Sequence, residues 1–189
     1  MVDFLDLILL RQSVRRYSNR EVEKEKLMKC LEAARLAPSA SNSQPWSFIV
    51  VDDPELKDKV AHATYTSVVG FNRFALQAPV ILAIVLEHPK VITQLAIRVK
   101  HKEWSLMDIG IAAEHFCLQA AELGLGTCML GWFKEKQVKE LLGLPAAKTV
   151  GLLITLGYPS ADDSLRRKKR KPLETVVTFN GYNRPHSRK

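Results

Sequence analysis

Hydrophobic positions recur along this chain with two periods, and the switches between them mark out its elements. Phe4, Leu5, Ile8 and Leu9 repeat at helical spacing, which predicts a short amphipathic helix handing over to Arg11. Over residues 22–37, Leu27, Leu31 and Ala34 share a helical face, with Glu23 and Glu25 at the end that favours negative charge. Pro38 stops that helix, because the residue before a proline is driven away from helical geometry. Residues 46–51 alternate and then saturate with apolar side chains, as a strand does. Asp53-Pro54 opens another helix, with proline at the first helical position, where its missing N–H costs nothing. Residues 65–78 show no clear period, and Gly70 and Asn72 point to a loop.

The β-branched run at 79–86 (PVILAIVL) predicts a strand buried on both faces. Residues 91–102 read as a helix of mixed composition. The strongest helix is 105–123: Ile109, Ala112, Phe116, Ala120 and Leu123 line one face, while Ala113 and Ala121 keep other faces small. A helix apolar on nearly every side is buried, and a subunit interface is one place to bury it. Gly124-Leu125-Gly126 ends it, and 127–133 reads as a short apolar connector. Val138, Leu141 and Leu142 mark a small helix before Gly143 and Pro145. Residues 150–156 form a further strand, closed by Gly157-Tyr158-Pro159. The helices interleave with few strands and no regular βαβ alternation, so the expected fold class is α+β with a mixed sheet.

Composition changes this picture little. The 189 residues fit one domain spanning 1–189, with a core that needs no disulfide or metal staple. No apolar run approaches the roughly 20 residues that span a bilayer, so no membrane partner is expected. Asp3 and Asp6 interrupt the first apolar stretch and no basic segment precedes it, so no signal peptide is expected. Cys30, Cys117 and Cys128 are odd in number, lack a C-x-x-C pair and sit among apolar residues, which predicts buried, reduced thiols and a cytoplasmic location. No iron–sulfur cluster or structural zinc is expected, and the five histidines show no metal-ligand spacing. His115 reads as a core histidine, and Asp108 on the same helix as a residue that caps or bridges its surroundings.

The formal net charge of +8 is concentrated: Arg166-Arg167-Lys168-Lys169-Arg170-Lys171 supplies six of the charges. Such a run suits a solvated segment, a contact with RNA or a membrane surface, or a phosphate site. Two other segments carry candidate chemistry. In Arg11-Gln12-Ser13-Val14-Arg15, alternate residues of an extended chain point the same way. Two guanidiniums and a hydroxyl can then converge on one phosphate, while Arg16 points elsewhere; alone, the segment reads equally as a solvated basic turn. The loop at 38–46 sets small polar residues and amides between two prolines, which suits a stiff edge against a planar ligand as well as a plain helix-to-strand connection. The glycines at 124–126 follow a helix, not a strand, and lack a full G-x-G-x-x-G, so they are no dinucleotide fingerprint.

Together these segments resemble the FMN-dependent nitroreductase family, in order and over residues 8–178. Residues 37–46 match its A-P-S-x-x-N-x-Q-P-W pattern throughout, and Lys168, Arg170 and Pro172 fit its late K-x-R-x-P element. The resemblance implies an α+β three-layer sandwich: a central mixed, mostly antiparallel sheet, helices on both faces, and a C-terminal extension (172–189, after the basic segment 166–171) exchanged in a homodimer. It implies that Arg11, Ser13, Lys168 and Arg170 hold the FMN phosphate and that Arg15 approaches the ribityl chain and pyrimidine edge. Pro38, Ser39 and Asn42 would reach the flavin of the other subunit, with Trp46 packing behind. Backbone N–H groups at Leu130 and Gly131 would face N5. No catalytic side chain and no metal is implied. The expected reaction is ping-pong: NADH or NADPH reduces the flavin, then a nitroaromatic or quinone is reduced. Other flavin chemistry of the family, reductive dehalogenation or flavin destruction, shares these motifs. A nucleic-acid-binding protein using 166–171 is the reading outside the family.

Overall fold

The computed structural model describes residues 3–87 and 104–182, so the helix expected at 91–102 lies outside the described residues. Four strands, β1 (Trp46–Val51), β2 (Val80–Leu86), β3 (Gly126–Leu130) and β4 (Thr149–Gly157), form one sheet in the order β1-β2-β4-β3. All three pairings are antiparallel. The mixed character expected of the sheet rests, among the described residues, on one parallel bridge between Ser13 and Thr127.

Because side chains alternate along a strand, the two central strands feed two cores. Leu82, Ile84, Ile154 and Leu156 face α2 (Lys24–Arg35) and a long helix at Trp104–Glu122, in a layer centred on fully buried Phe116. Ile81, Ala83 and Leu153 face α3 (Pro54–His62) and the short helix Glu135–Leu141. The result is the expected three-layer sandwich. In chain order the long helix is α4 and the short one α5; α1 is Phe4–Leu10, and α6, Leu173–Val176, opens the C-terminal tail. The Asp53-Pro54 signal is realised as expected: Asp53 Oδ1 accepts the Leu56 N–H at 2.8 Å and Pro54 starts α3.

α2 is shorter than its periodicity and has no side-chain cap at Glu23. Glu23 instead accepts from Tyr158 Oη and from Arg20, both at 2.6 Å, and these bonds hold its carboxyl down to about 2. Lys26 Nζ donates to Tyr158 Oη and to the Leu123 carbonyl. One cluster thereby fastens the start of α2 to the ends of α4 and β4.

Two expectations need correcting. Residues 127–133 are not simply a connector: their first part is β3, an edge strand. Five residues paired along their full length on one side only give too short a run for a period to show. Nor is α4 buried on every side, since Leu106, Met107 and Ile111 are exposed. They belong with Phe4, Leu5, Ile8 and Leu9 of α1, also exposed, to an apolar surface on the two helices. The cysteines behave as expected: all three are free and buried.

Candidate functional site

The segment 11–17 leaves α1 in extended conformation and lies along the outer edge of β3. Val14 N–H donates to the Thr127 carbonyl at 2.9 Å, and Tyr17 makes an antiparallel bridge with Pro159. Val14 and Tyr17 point into the protein, where Tyr17 Oη meets Thr155 Oγ1 at 2.7 Å and burial keeps the phenol neutral. By alternation about Val14, Arg11, Ser13 and Arg15 share the other side, as predicted, and the inward turn of Tyr17 ends that alternation. The strip seats this closely because β3 begins with glycine. A Cβ on Gly126 would stand 2.5 Å from Val14 Cγ2 and 2.8 Å from Val14 Cβ.

Residues 163–170 return across the strip and lace onto it. Arg166 donates to Asp163 Oδ1 and to the Ser13 carbonyl, both at 2.5 Å. Lys168 Nζ donates to the Arg11 carbonyl. Asp163 Oδ2 accepts the Arg15 N–H at 3.2 Å, and Gln12 bonds both Ser164 O and the Arg166 N–H. Between strip and return lies an open groove of about 700 Å³. Arg11, Ser13 and Arg15 line one wall; Lys168 and Arg170 line the other. The structure thus brings five of the expected residues together. Arg16 is exposed and outside the groove lining, as expected.

Sequence reasoning missed Arg166 and Gln12. Arg166 had a local signal in Asp163, three residues earlier, but its other partner, the carbonyl of residue 13, is 153 residues away.

The electrostatics of the groove are one-sided. Lys168 is held below the ordinary lysine range, first by burial and then by the charges of Arg11, Arg170 and Arg166. Cations crowded so that they disfavour one another's charge lack an anion to share. Among the described residues only Arg11 and Arg166 of these cations have carboxylate partners, Glu114 at 3.0 Å and Asp163. The buried thiol of Cys128 lies within influence of Arg15, Arg11 and Arg166, yet burial still pushes it up. A weakly acidic, nearly inaccessible thiol is no nucleophile.

Pro38, Ser39 and Asn42 do not line this groove. Their loop is shaped by three left-handed residues that are not glycine: Ser41, Asn42 and Gln44 have φ of 53°, 49° and 48°. Each such residue costs on the order of 1–3 kcal/mol, and such strain gathers at binding sites. Ser39 Oγ accepts the Gln44 N–H and Asn42 Oδ1 accepts from Gln44 Nε2, both at 2.9 Å. Asp108 of α4 takes the Ala40 N–H on both oxygens at 3.2 Å, which gives Asp108 its bridging role. Burial raises its carboxyl, and the Ala40 N–H works against that rise. Trp46 is buried in the core, as expected, and His115 is half-buried with Nδ1 3.3 Å from Ala33 O.

Removing the Asp108 carboxylate orphans Ala40 N–H. Asp108→Ala is expected to cost about 1–3 kcal/mol. Hydrogen exchange should speed up selectively at residue 40; unchanged protection there would deny Asp108 this role.

Leu130 is 2 % exposed; its side chain belongs to the core against α3 and α5, and its backbone turns toward β4, where it pairs with Leu153. Gly131 follows the strand and is exposed. Thr127 O points outward to the strip, so alternation sends the Met129 and Gly131 amides to the same edge. Beside them Asn72, buried, donates from Nδ2 to Trp132 O at 3.1 Å, and the Phe71 and Trp132 rings meet at 5.9 Å. Among the described residues no group of three or more His, Cys, Asp or Glu could hold a metal, and no helix is long and apolar enough to cross a membrane.

Comparison with known proteins places the chain. The model of the Nitroreductase family matches residues 8–158. A protein of Archaeoglobus fulgidus, provisionally named NADH dehydrogenase/NAD(P)H nitroreductase, is 36% identical over 163 residues, covering 84% of this chain and 87% of the relative. Human iodotyrosine deiodinase 1 is 26% identical, over 93% of this chain and 68% of its own length. Among solved structures, an FMN-dependent nitroreductase from Clostridium difficile superposes with a TM-score of 0.76 at 30% identity, covering 95% of this chain and 100% of that one.

Proposed function

The chain belongs to the Nitroreductase family and is an oxidoreductase; from that premise we propose that it binds FMN and uses NADH or NADPH to reduce electron-poor acceptors such as nitroaromatics or quinones. The observation that carries the proposal is the cationic groove. A phosphate monoester offers three acceptor oxygens and nearly two negative charges. Arg11, Ser13, Arg15, Lys168 and Arg170 offer matching donors around one point, and the depressed lysine is the cost a bound anion would relieve. Bound there, FMN would supply two-electron chemistry at its ring, accepting from a reduced nicotinamide and giving to the acceptor. Arg15, 5.9 Å from the Phe74 ring centroid, would meet charge on the ring's pyrimidine edge. Gly131, with Met129 on the near side of Leu130, would offer backbone donors, and no side chain is required as an acid or base.

The Asn42 loop would come from a second subunit. Asp108, which holds it, and Glu114, which holds Arg11, are six residues apart on α4. That spacing is about 9 Å along the axis and about 120° around it. Loop and strip thus leave different sides of α4, and the exposed apolar residues of α1 and α4 supply the surface on which a homodimer would form. In mixed dimers of Asn42→Ala with Arg11→Ala, one of two sites should be intact and flavin retention should recover to about half. No recovery in verified heterodimers would count against a shared site. The C-terminal extension, exposing Leu173 and Val176, would cross to the partner.

The lysine also sets a pH dependence. A bound dianion raises the Lys168 pKa, so binding takes up a proton. FMN affinity should hold below the free-state Lys168 pKa and fall as pH rises through it. The ligand-free protein behaves oppositely. Between that depressed pKa and the ordinary 10.5, the unfolded chain binds more protons, so stability climbs with pH. FMN titrations from neutral to alkaline pH should show the fall, and Lys168→Met should flatten it.

The deciding test is an absorbance spectrum of the purified protein followed by anaerobic addition of NADH or NADPH. Flavin bands that bleach support the proposal; no flavin, and none retained after incubation with FMN, would overturn it. Kinship with an iodotyrosine deiodinase supports reductive dehalogenation as a second reading. Release of iodide from iodotyrosine, faster than nitroaromatic turnover, would select it.

A further inference from the structure

The groove holds more positive charge than one phosphate can use. Among the described residues, seven Arg and Lys side chains border it, no carboxylate does, and only Arg11 and Arg166 are paired with acids. Arg166 and Lys168 are turned onto the strip, where they bond the carbonyls of Ser13 and Arg11. If the chain alternates here, Arg167 between them and Lys169 after them turn away from the strip. Arg167 and Lys169 nonetheless border the groove from its outer lip, exposed, and their side chains make no hydrogen bond or ion pair among the described residues. They are two positions apart, at most about 7 Å between Cα atoms, so a guanidinium fork and an ammonium are within reach of one anion.

We infer that Arg167 and Lys169 form a second phosphate site at the mouth of the groove, which receives the 2′-phosphate of NADPH. The inference rests on the oxidoreductase reading and adds to it the choice of donor. The FMN phosphate carries nearly two negative charges, and Arg15, Lys168 and Arg170, which have no acid partner among the described residues, already supply three positive ones. The outer pair is left for a group that enters beside bound FMN. In an oxidoreductase of this kind, the anion that comes and goes at an open mouth is the dinucleotide. NADPH differs from NADH by one phosphomonoester, close to a dianion at neutral pH. Bringing that charge toward the FMN phosphate without cations between them is costly, and the outer pair supplies those cations. Exposed, flexible side chains also suit a ligand that must leave in each turnover, whereas the laced inner wall suits one that stays.

The test uses the FMN-loaded protein and isothermal titration calorimetry with 2′,5′-ADP and 5′-AMP, which share the adenosine and differ in the 2′-phosphate. The protein should bind 2′,5′-ADP at least about tenfold more tightly, as expected for a charge-assisted contact. Arg167→Ala/Lys169→Ala should bring the two ligands within about twofold of each other, while the visible spectrum shows the FMN content retained. KM for NADPH should rise in the variant more than KM for NADH. Equal binding of the two nucleotides by FMN-loaded protein, or a preference that survives in the variant, would overturn the inference and leave the flavin reading standing. A single-stranded oligonucleotide bound through the same two residues, with no preference between the nucleotides, would overturn it in favour of a polyanion surface. A protein that takes up no FMN would sink the inference and the reading together.

Discussion

Gly126→Ala is expected to strip the protein of flavin while leaving it folded. The new Cβ would meet Val14 Cγ2 at 2.5 Å, Cβ at 2.8 Å and Cγ1 at 2.9 Å. Val14 is β-branched, 2 % exposed and fixed by its N–H bond to Thr127, so the side chain has no rotamer in which to retreat. The strip must lift from β3, and Arg11, Ser13 and Arg15 move with it. Overpacking of this kind costs about 1–3 kcal/mol, a fall in Tm of roughly 2–4 °C per kcal/mol for a chain this long. The loss of FMN should be disproportionate, because the groove depends on the position of one edge relative to the other. Val14→Ala removes two of the three clashing atoms, so Val14→Ala/Gly126→Ala should regain part of the flavin. Full retention and an unchanged Tm in Gly126→Ala would mean that the strip is not seated as described.

Arg11→Ala and Arg170→Ala should each weaken FMN by about 1.5–3 kcal/mol, the value of a hydrogen bond to a charged group, which is roughly tenfold to more than a hundredfold in Kd. They stand on opposite walls, so the double variant should purify without flavin. Arg11 also pairs with Glu114, and its removal could act through that contact alone. Glu114 separates the two cases: its side chain is 42 % exposed, and a pair so placed contributes about 0–1 kcal/mol. Glu114→Gln should therefore change FMN affinity far less than Arg11→Ala. Unchanged retention in both arginine variants would refute a phosphate site here; equal losses in Arg11→Ala and Glu114→Gln would reassign Arg11 to holding α1 on α4.

How much was legible beforehand varied with the range of the forces involved. The Asp53-Pro54 start of α3 and the buried strand at β2 were plain, because capping and β-branching act within a few residues. The alternation of Arg11, Ser13 and Arg15 was also readable, since an extended backbone enforces it. β3 was not, because Gly126 to Leu130 is too brief for a period and owes its strand form to β4 and the strip. The exposure of Leu106, Met107 and Ile111 was hidden for another reason: apolar residues awaiting a partner surface look the same in sequence as residues already in the core. Arg166 lay furthest out of reach, since no local pattern announces a carbonyl 153 positions upstream.

That separation has a consequence for how the protein comes into being. The Lys168 bond to the Arg11 carbonyl joins residues 157 apart, so one wall of the groove is synthesised long before the other. Until the ribosome has delivered the segment around residue 170, half the donors for the phosphate do not exist. Nor is the outer edge of β3 covered until the strip settles on it. If the groove holds the flavin as proposed, cofactor capture is a closing event, and truncation within the basic run is expected to give a chain that folds its sheet but retains no flavin.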